Sequence, residues 1–282
     1  MRIYHLISIL SLAALSIVGC KDDPASSESD YGSEAAADGF GSIIGTESGG
    51  AGASLGDATN LAEGFTIGNG AFGKNQVQAR DSAYDDVTKM HTITLTRDRQ
   101  FIGSQYSASL IYRYTFYTGP VATADFTKGV TTRIDVTVDG HLDASTPRIN
   151  TVDTSHASWA LTNLGAGGAP PTLNGTYWRS GVHTLTSAAG GKQINVEQTI
   201  NFNNNELRRD DKDSPVYMSG TATSHYTATG QNGLSIERDV NATFNGDGTA
   251  TLAITRTNNQ GTTVDSCTVD VKRGRFIKWL NR

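Results

Sequence analysis

Cysteine is nearly absent from this chain: 282 residues carry two, Cys20 and Cys267. Two thiols so far apart cannot staple a disulfide-framed fold, so stability must come from a packed core. Long apolar runs are missing too. After residue 18 no segment approaches the roughly 18 consecutive apolar residues that a membrane-crossing helix needs. Between Asp22 and Gly73 there is neither lysine nor arginine. The five histidines beyond the N-terminal segment, His91, His141, His156, His183 and His225, show no His-x-x-x-His or His-x-His spacing. A sequence-local zinc site is thereby excluded.

The charge deficit divides the chain. From Lys21 to Gly73 one cation faces nine acids, and the segment holds 12 of the 31 glycines. From residue 74 to 282 there are 21 cations and 19 acids. An acidic Gly/Ser/Ala-rich segment of this kind reads as a disordered tether, because it offers little apolar surface to offset ordering entropy. Phe40, Ile43, Ile44, Leu55, Leu61, Phe65, Ile67 and Phe72 interrupt its polarity, and the later ones are able to dock on the body. The expected organisation is a leader over 1–19, a tether over 20–74 and a single domain over 75–282. A near-neutral body and an acidic tether argue against nucleic acid as a partner.

The body alternates with period two. Ile93 and Leu95, then Leu110, Tyr112, Tyr114 and Phe116, then Ile134, Val136 and Val138 each repeat at every second position. Ile194, Val196, Ile200 and Phe202 continue the pattern, as do Ile236, Val240, Ala242 and Phe244. The residues between are mostly Thr, Ser, Asn and charged, as expected of strands with one buried and one wet face. Asn/Gly-rich turns near 188–191, 229–233, 245–248 and 258–261 separate these runs as hairpins require. No 3.6-residue apolar stripe is expected beyond the leader, the extreme C-terminus excepted. The predicted fold is all-β: an antiparallel meander of about ten strands closing into a soluble barrel or sandwich. A barrel set in lipid is disfavoured, because its outward face must be apolar. Cys267 is in phase with Val269 and Val271 and is expected as an inert core thiol.

Leu6 to Val18 forms a 13-residue apolar run broken only by Ser8, Ser11 and Ser16, after a short head of Met1, Arg2 and His5. That length suits the h-region of a secretory signal and is too short to span a bilayer. The run ends in Ile17-Val18-Gly19-Cys20, which resembles the lipobox of bacterial lipoproteins. The resemblance implies cleavage before Cys20 and thioether linkage of its sulfur to a diacylglycerol. Acyl chains in combination anchor stably, at about 0.8 kcal/mol per buried methylene. Lys21-Asp22-Asp23 is similar to the surface-export tract of Bacteroidota lipoproteins. Together these imply a protein anchored to the outer membrane, with the outer face favoured over the periplasmic one. The resemblance covers this N-terminal stretch alone, and Cys267 is left without a disulfide partner.

Little in the body marks catalysis. Gly52-Ala53-Ser54-Leu55-Gly56 matches a nucleophile elbow, and Gly68-Asn69-Gly70-Ala71-Phe72-Gly73 matches a phosphate-binding turn. Neither has the strand-turn-helix context that such chemistry needs. The polar loop at 203–213 carries Glu206, Asp210, Asp211 and Asp213 but lacks the spacing of a calcium loop. No cofactor, metal or catalytic residue is assigned. Tyr177 and Trp178 are adjacent and must point to opposite faces, so one of them is expected outside. With Arg179 they form the candidate binding residues, suited to stacking on a glycan or a protein ligand. The basic-aromatic end, Lys272 to Arg282, is expected to pack its apolar residues on the body while its cations stay wet. The leading expectation is a non-enzymatic, lipid-anchored binding or structural domain. A lipocalin-like carrier with a cavity lined by Tyr112, Phe202 and Phe244 is the alternative, and a surface glycan-active enzyme the third.

Overall fold

A computed structural model describes residues 28–45, 49–62, 77–101, 103–164, 170–186, 192–208, 217–230, 233–259 and 261–281. Two helices come first, α1 (Glu28–Ile44) and α2 (Gly50–Ala62). Strands follow: β1 (Val77–Asp85), β2 (Met90–Phe101), β3 (Ser104–Thr118), β4 (Val121–Thr123), β5 (Arg133–Ser145), β6 (Ile149–Thr162) and β7 (Thr172–Leu185). The remainder are β8 (Lys192–Arg208), β9 (Tyr217–Gly230), β10 (Ser235–Asn245), β11 (Thr249–Asn258), β12 (Gly261–Asp270) and β13 (Arg275–Trp279). All belong to one antiparallel sheet in which each strand pairs with its chain neighbours, save that β4 is a short spur on β3 and β5 pairs with β3 directly.

The meander is therefore as expected, and its alternation is strict. In β10 every second residue is buried from Ile236 to Phe244, and the residues between are exposed. Tyr112, Tyr114 and Phe116 share the inner face of β3. Cys267 is a fully buried thiol on β12. Asp247 is a turn residue, accepting from the Thr249 amide at 2.9 Å.

Three expectations need correction. Among the described residues there are thirteen strands instead of about ten: β1 and β4 carry few large apolar residues, and β13 is only five residues long. The sheet is neither a closed barrel nor a sandwich: its path ends at β1 and β13, which are not paired to each other. Part of the expected tether is core. Residues 28–44 and 50–62 are helical, and the concave side of the sheet curls around them; α1 packs on β6 and β10–β13, α2 on β5 and β6.

The helices fill the space that closure of a barrel would otherwise have to fill. Ala36, Phe40, Ile43 and Ile44 are buried, at spacings of four, seven and eight, and so are Ala51, Leu55 and Ala58 at four and seven. These are helical intervals. They escape notice in the sequence because small residues, alanine and glycine, surround the few large apolar ones. The glycines serve close approach: a Cβ on Gly39 would lie 3.0 Å from the Tyr226 ring. Phe40 reaches Phe244 with ring centroids 6.4 Å apart, and Phe202 stacks on Phe244 at 6.3 Å. Tyr112, Phe202 and Phe244, the residues that the carrier reading assigns to a ligand cavity, are thus occupied by α2, α1 and one another.

The C-terminal segment closes the core as a strand. Phe276 and Trp279 pack on it, 5.2 Å apart by ring centroid, and the Arg148 guanidinium lies 5.0 Å over Phe276.

Candidate binding surface

Strand parity places the candidate residues. Tyr177 and Arg179, two apart on β7, both point inward and are 2% and 0% exposed. Trp178 between them points outward and is half-buried. The expected trio is thus split, and Tyr177 and Arg179 are not part of an exposed surface. Cys20, Lys21, Asp22 and Asp23 lie outside the described residues, as does the Gly68–Gly73 motif.

Inside, Arg179 is the centre of a polar network that joins the sheet to α1. Its guanidinium donates to Asp153 Oδ2 at 3.1 Å, Ser42 Oγ at 3.0 Å, the Gly39 carbonyl at 2.8 Å and Gln198 Oε1 at 3.2 Å. His183 Nε2 lies 3.0 Å from the other Asp153 oxygen. Burial raises the Asp153 carboxyl, but Arg179 and His183 outweigh it and hold the group below its usual range. Burial, reinforced by Arg179, pushes His183 down to about 4. Two further arginines meet acids of the helices. On α1, Glu34 and Asp38 both bind Arg148, with Asp38 Oδ1 at 2.8 Å. On α2, Asp57 meets Arg97 at 2.5 Å and accepts the Tyr112 hydroxyl at 2.6 Å. Acids on the helices thus answer arginines on the sheet. Ser54 of the nominal nucleophile elbow is buried on α2 and accepts from Tyr112 at 3.2 Å, a packing role.

Outside, the ladder register lines up a row across six strands: Asp139 on β5, His156 on β6, Trp178 on β7, Thr199 on β8, His225 on β9 and Asp239 on β10. Trp178 is held in place by its indole N–H, which donates to Glu197 Oε1 at 3.0 Å. His156 Nδ1 lies 2.7 Å from Asp139, which also accepts from Arg113 at 2.5 Å. The His156 hydrogen bond is the chief reason that the Asp139 carboxyl sits below its usual range. On the other flank His225 Nδ1 lies 2.8 Å from Asp239, and its Nε2 is 3.8 Å from Glu237.

One step along the strands from Trp178 the face is dented. A depression of about 380 Å³ is lined by Asp135, Val136, Thr137, Ser158, Trp159, Ala160, Asn174 and Gly175. Gly175 causes it. Its φ is +138°, a Cβ there would sit 2.1 Å from the Ser158 carbonyl oxygen, and a bulge in the β7–β8 ladder lies at the same place. Bulges are over-represented at sheet edges, barrel rims and next to active sites.

The row was legible only in part. That one of Tyr177 and Trp178 faces outward follows from parity, but which one does, and the register of its partners on five other strands, are tertiary properties. Among the described residues no group of three or more His, Cys, Asp or Glu is placed to hold a metal. The described part of the 203–213 loop, Asn203 to Arg208, continues β8, with Arg208 paired to Glu206 at 2.9 Å. No family model, curated protein or solved structure matches this chain.

Proposed function

We propose that this chain is a lipid-anchored protein of the bacterial outer membrane, displayed on the cell surface, whose β domain binds a ligand on its convex face without catalysis. The observation that carries the anchor is the lipobox-like Ile17-Val18-Gly19-Cys20 followed so closely by folded structure. Only seven residues, Lys21 to Ser27, separate Cys20 from the start of α1. Fully extended, such a spacer reaches about 25 Å at most. The domain therefore rides close to the headgroups instead of on a long tether.

The outer face supports display in water. On β8 it presents Gln193, Asn195, Glu197 and Asn201, the reverse of the apolar band that lipid requires. No described helix is long and apolar enough to cross a membrane. The filled interior favours a binding surface over a carrier cavity, and the Trp178 row is the outward place where an aromatic, hydrogen-bond acceptors and a depression coincide.

Metabolic labelling with a palmitate analogue, combined with protease shaving of intact cells, tests the anchor. Wild type should incorporate label and be shaved; Cys20→Ala should lose the label and leave the membrane fraction. Normal labelling of Cys20→Ala would overturn the proposal.

A further inference from the structure

The convex row has a composition that specifies a class of ligand. From Asp139 to Asp239 it crosses five inter-strand steps, about 24 Å at the usual strand spacing. Trp178 stands near the middle, its ring position set by the bond to Glu197. Aromatic side chains offer an apolar face to the C–H side of a flat ring, while their edges and neighbours serve its polar groups. On both sides lie imidazole–carboxylate pairs that are half exposed: His156 and Asp139 at 49% and 45%, His225 and Asp239 at 51% and 70%. Each pair presents acceptor oxygens and a ring nitrogen at fixed positions, because each partner orients the other. A depression farther along the same strands adds Thr137, Ser158, Asn174 and Asp135 as polar groups on a lining that also includes Val136, Trp159 and Ala160.

Hydroxyl-rich flat rings in a row satisfy all of these groups at once. The charge narrows the choice. Asp139, Glu197, Glu237 and Asp239 face Arg113 along the row, and Asp135 of the depression pairs with Arg133, five acids against two arginines among these residues. An acidic polymer would be repelled; a neutral or amino-sugar chain would not. We infer that the Trp178 row and the Gly175 depression form a carbohydrate-binding face that takes a polysaccharide of uncharged or basic pyranose units, lying across the strands. This rests on the reading of the domain as a binding module, though not on its lipid anchor.

Calorimetric titration of the purified full chain with three hexasaccharides tests it: cellohexaose, the glucosamine hexamer and the galacturonate hexamer. The first two should bind, and the acidic one at least tenfold more weakly. Trp178→Ala should lower affinity at least tenfold with the melting temperature within a few degrees of wild type. Trp178→Phe, which keeps a ring and loses the indole N–H, should fall between. Should Trp178→Ala fold poorly, His225→Ala with Asp239→Ala at two exposed positions supplies the same reading, with a loss of threefold or more. No binding of either non-acidic hexamer, equal binding of the acidic one, or undiminished binding by the folded variants would each overturn the inference. Failure here alongside successful lipid labelling of Cys20 leaves display standing. Binding without labelling leaves the face standing and removes the anchor.

Discussion

The two faces of the sheet are made from the same strands at alternate positions, yet they use charge in opposite ways. The concave face buries its charges: Arg97, Asp153 and Arg179 are 2%, 1% and 0% exposed, each tied to a counter-charge or a helix. The convex face leaves its charges half in water, where Asp139, His156, His225 and Asp239 pair but stay accessible. In the first setting the pair is a structural joint, since removing one member strands the other in a dry interior. In the second it is worth little to stability, and its groups remain free to meet a ligand.

The sharpest break in this comparison is at Arg179. Arg179→Ala leaves Asp153 and the Gly39 carbonyl without their shared donor and detaches α1 from β7. A loss of about 3–5 kcal/mol is expected, read as a lowered denaturation midpoint in urea. An unchanged midpoint would mean that α1 is not held by this network.

Acid probes the same face with a smaller effect. Asp38 is buried on α1, and burial lifts its carboxyl to about 6 in spite of Arg148. A group raised on folding contributes stability that is complete below its unfolded value of 3.8 and lost as pH rises through about 6. His183 runs the other way: lowered to about 4 by burial, it contributes above 6.5 and loses that contribution as pH falls through about 4. Between pH 6 and 4 the two slopes oppose each other. Asp38→Asn removes one of them. From pH 7 to 4.5 the variant should lose about 2 kcal/mol more than wild type does, by urea unfolding at the two pH values. Parallel pH profiles for the two proteins would show that Asp38 does not titrate in this window.

The convex face should respond least. His225→Ala breaks an exposed pair with Asp239 and is expected to change stability by no more than about 0.5 kcal/mol. A cost above about 1.5 kcal/mol, by thermal or urea unfolding, would mean that the outer pairs are joints as well and that the two faces differ less than their exposure suggests.

Most of the sheet was readable because period two is a local signal. Ile236 to Phe244, or Leu110 to Phe116, announce a buried face without reference to anything beyond their own strand. The helices were not readable in the same way. Ala36, Phe40, Ile43 and Ile44 carry the right spacing, but a segment with so few large apolar residues stays folded only if something else encloses it. That enclosure, and the arginines that neutralise Glu34, Asp38 and Asp57, come from positions 40 to 140 residues away.

The sequence by itself determined the alternation, the hairpin order, the burial of Cys267 and the outward aim of either Tyr177 or Trp178, since backbone geometry and turn chemistry are local. Only the tertiary structure decided that Trp178 is the outward one, that Arg179 belongs to the core, and that residues 28–44 and 50–62 of the acidic Gly/Ala segment are a filling. Those outcomes depend on which way the sheet curls, and curl is the summed twist of thirteen strands around the helices they enclose.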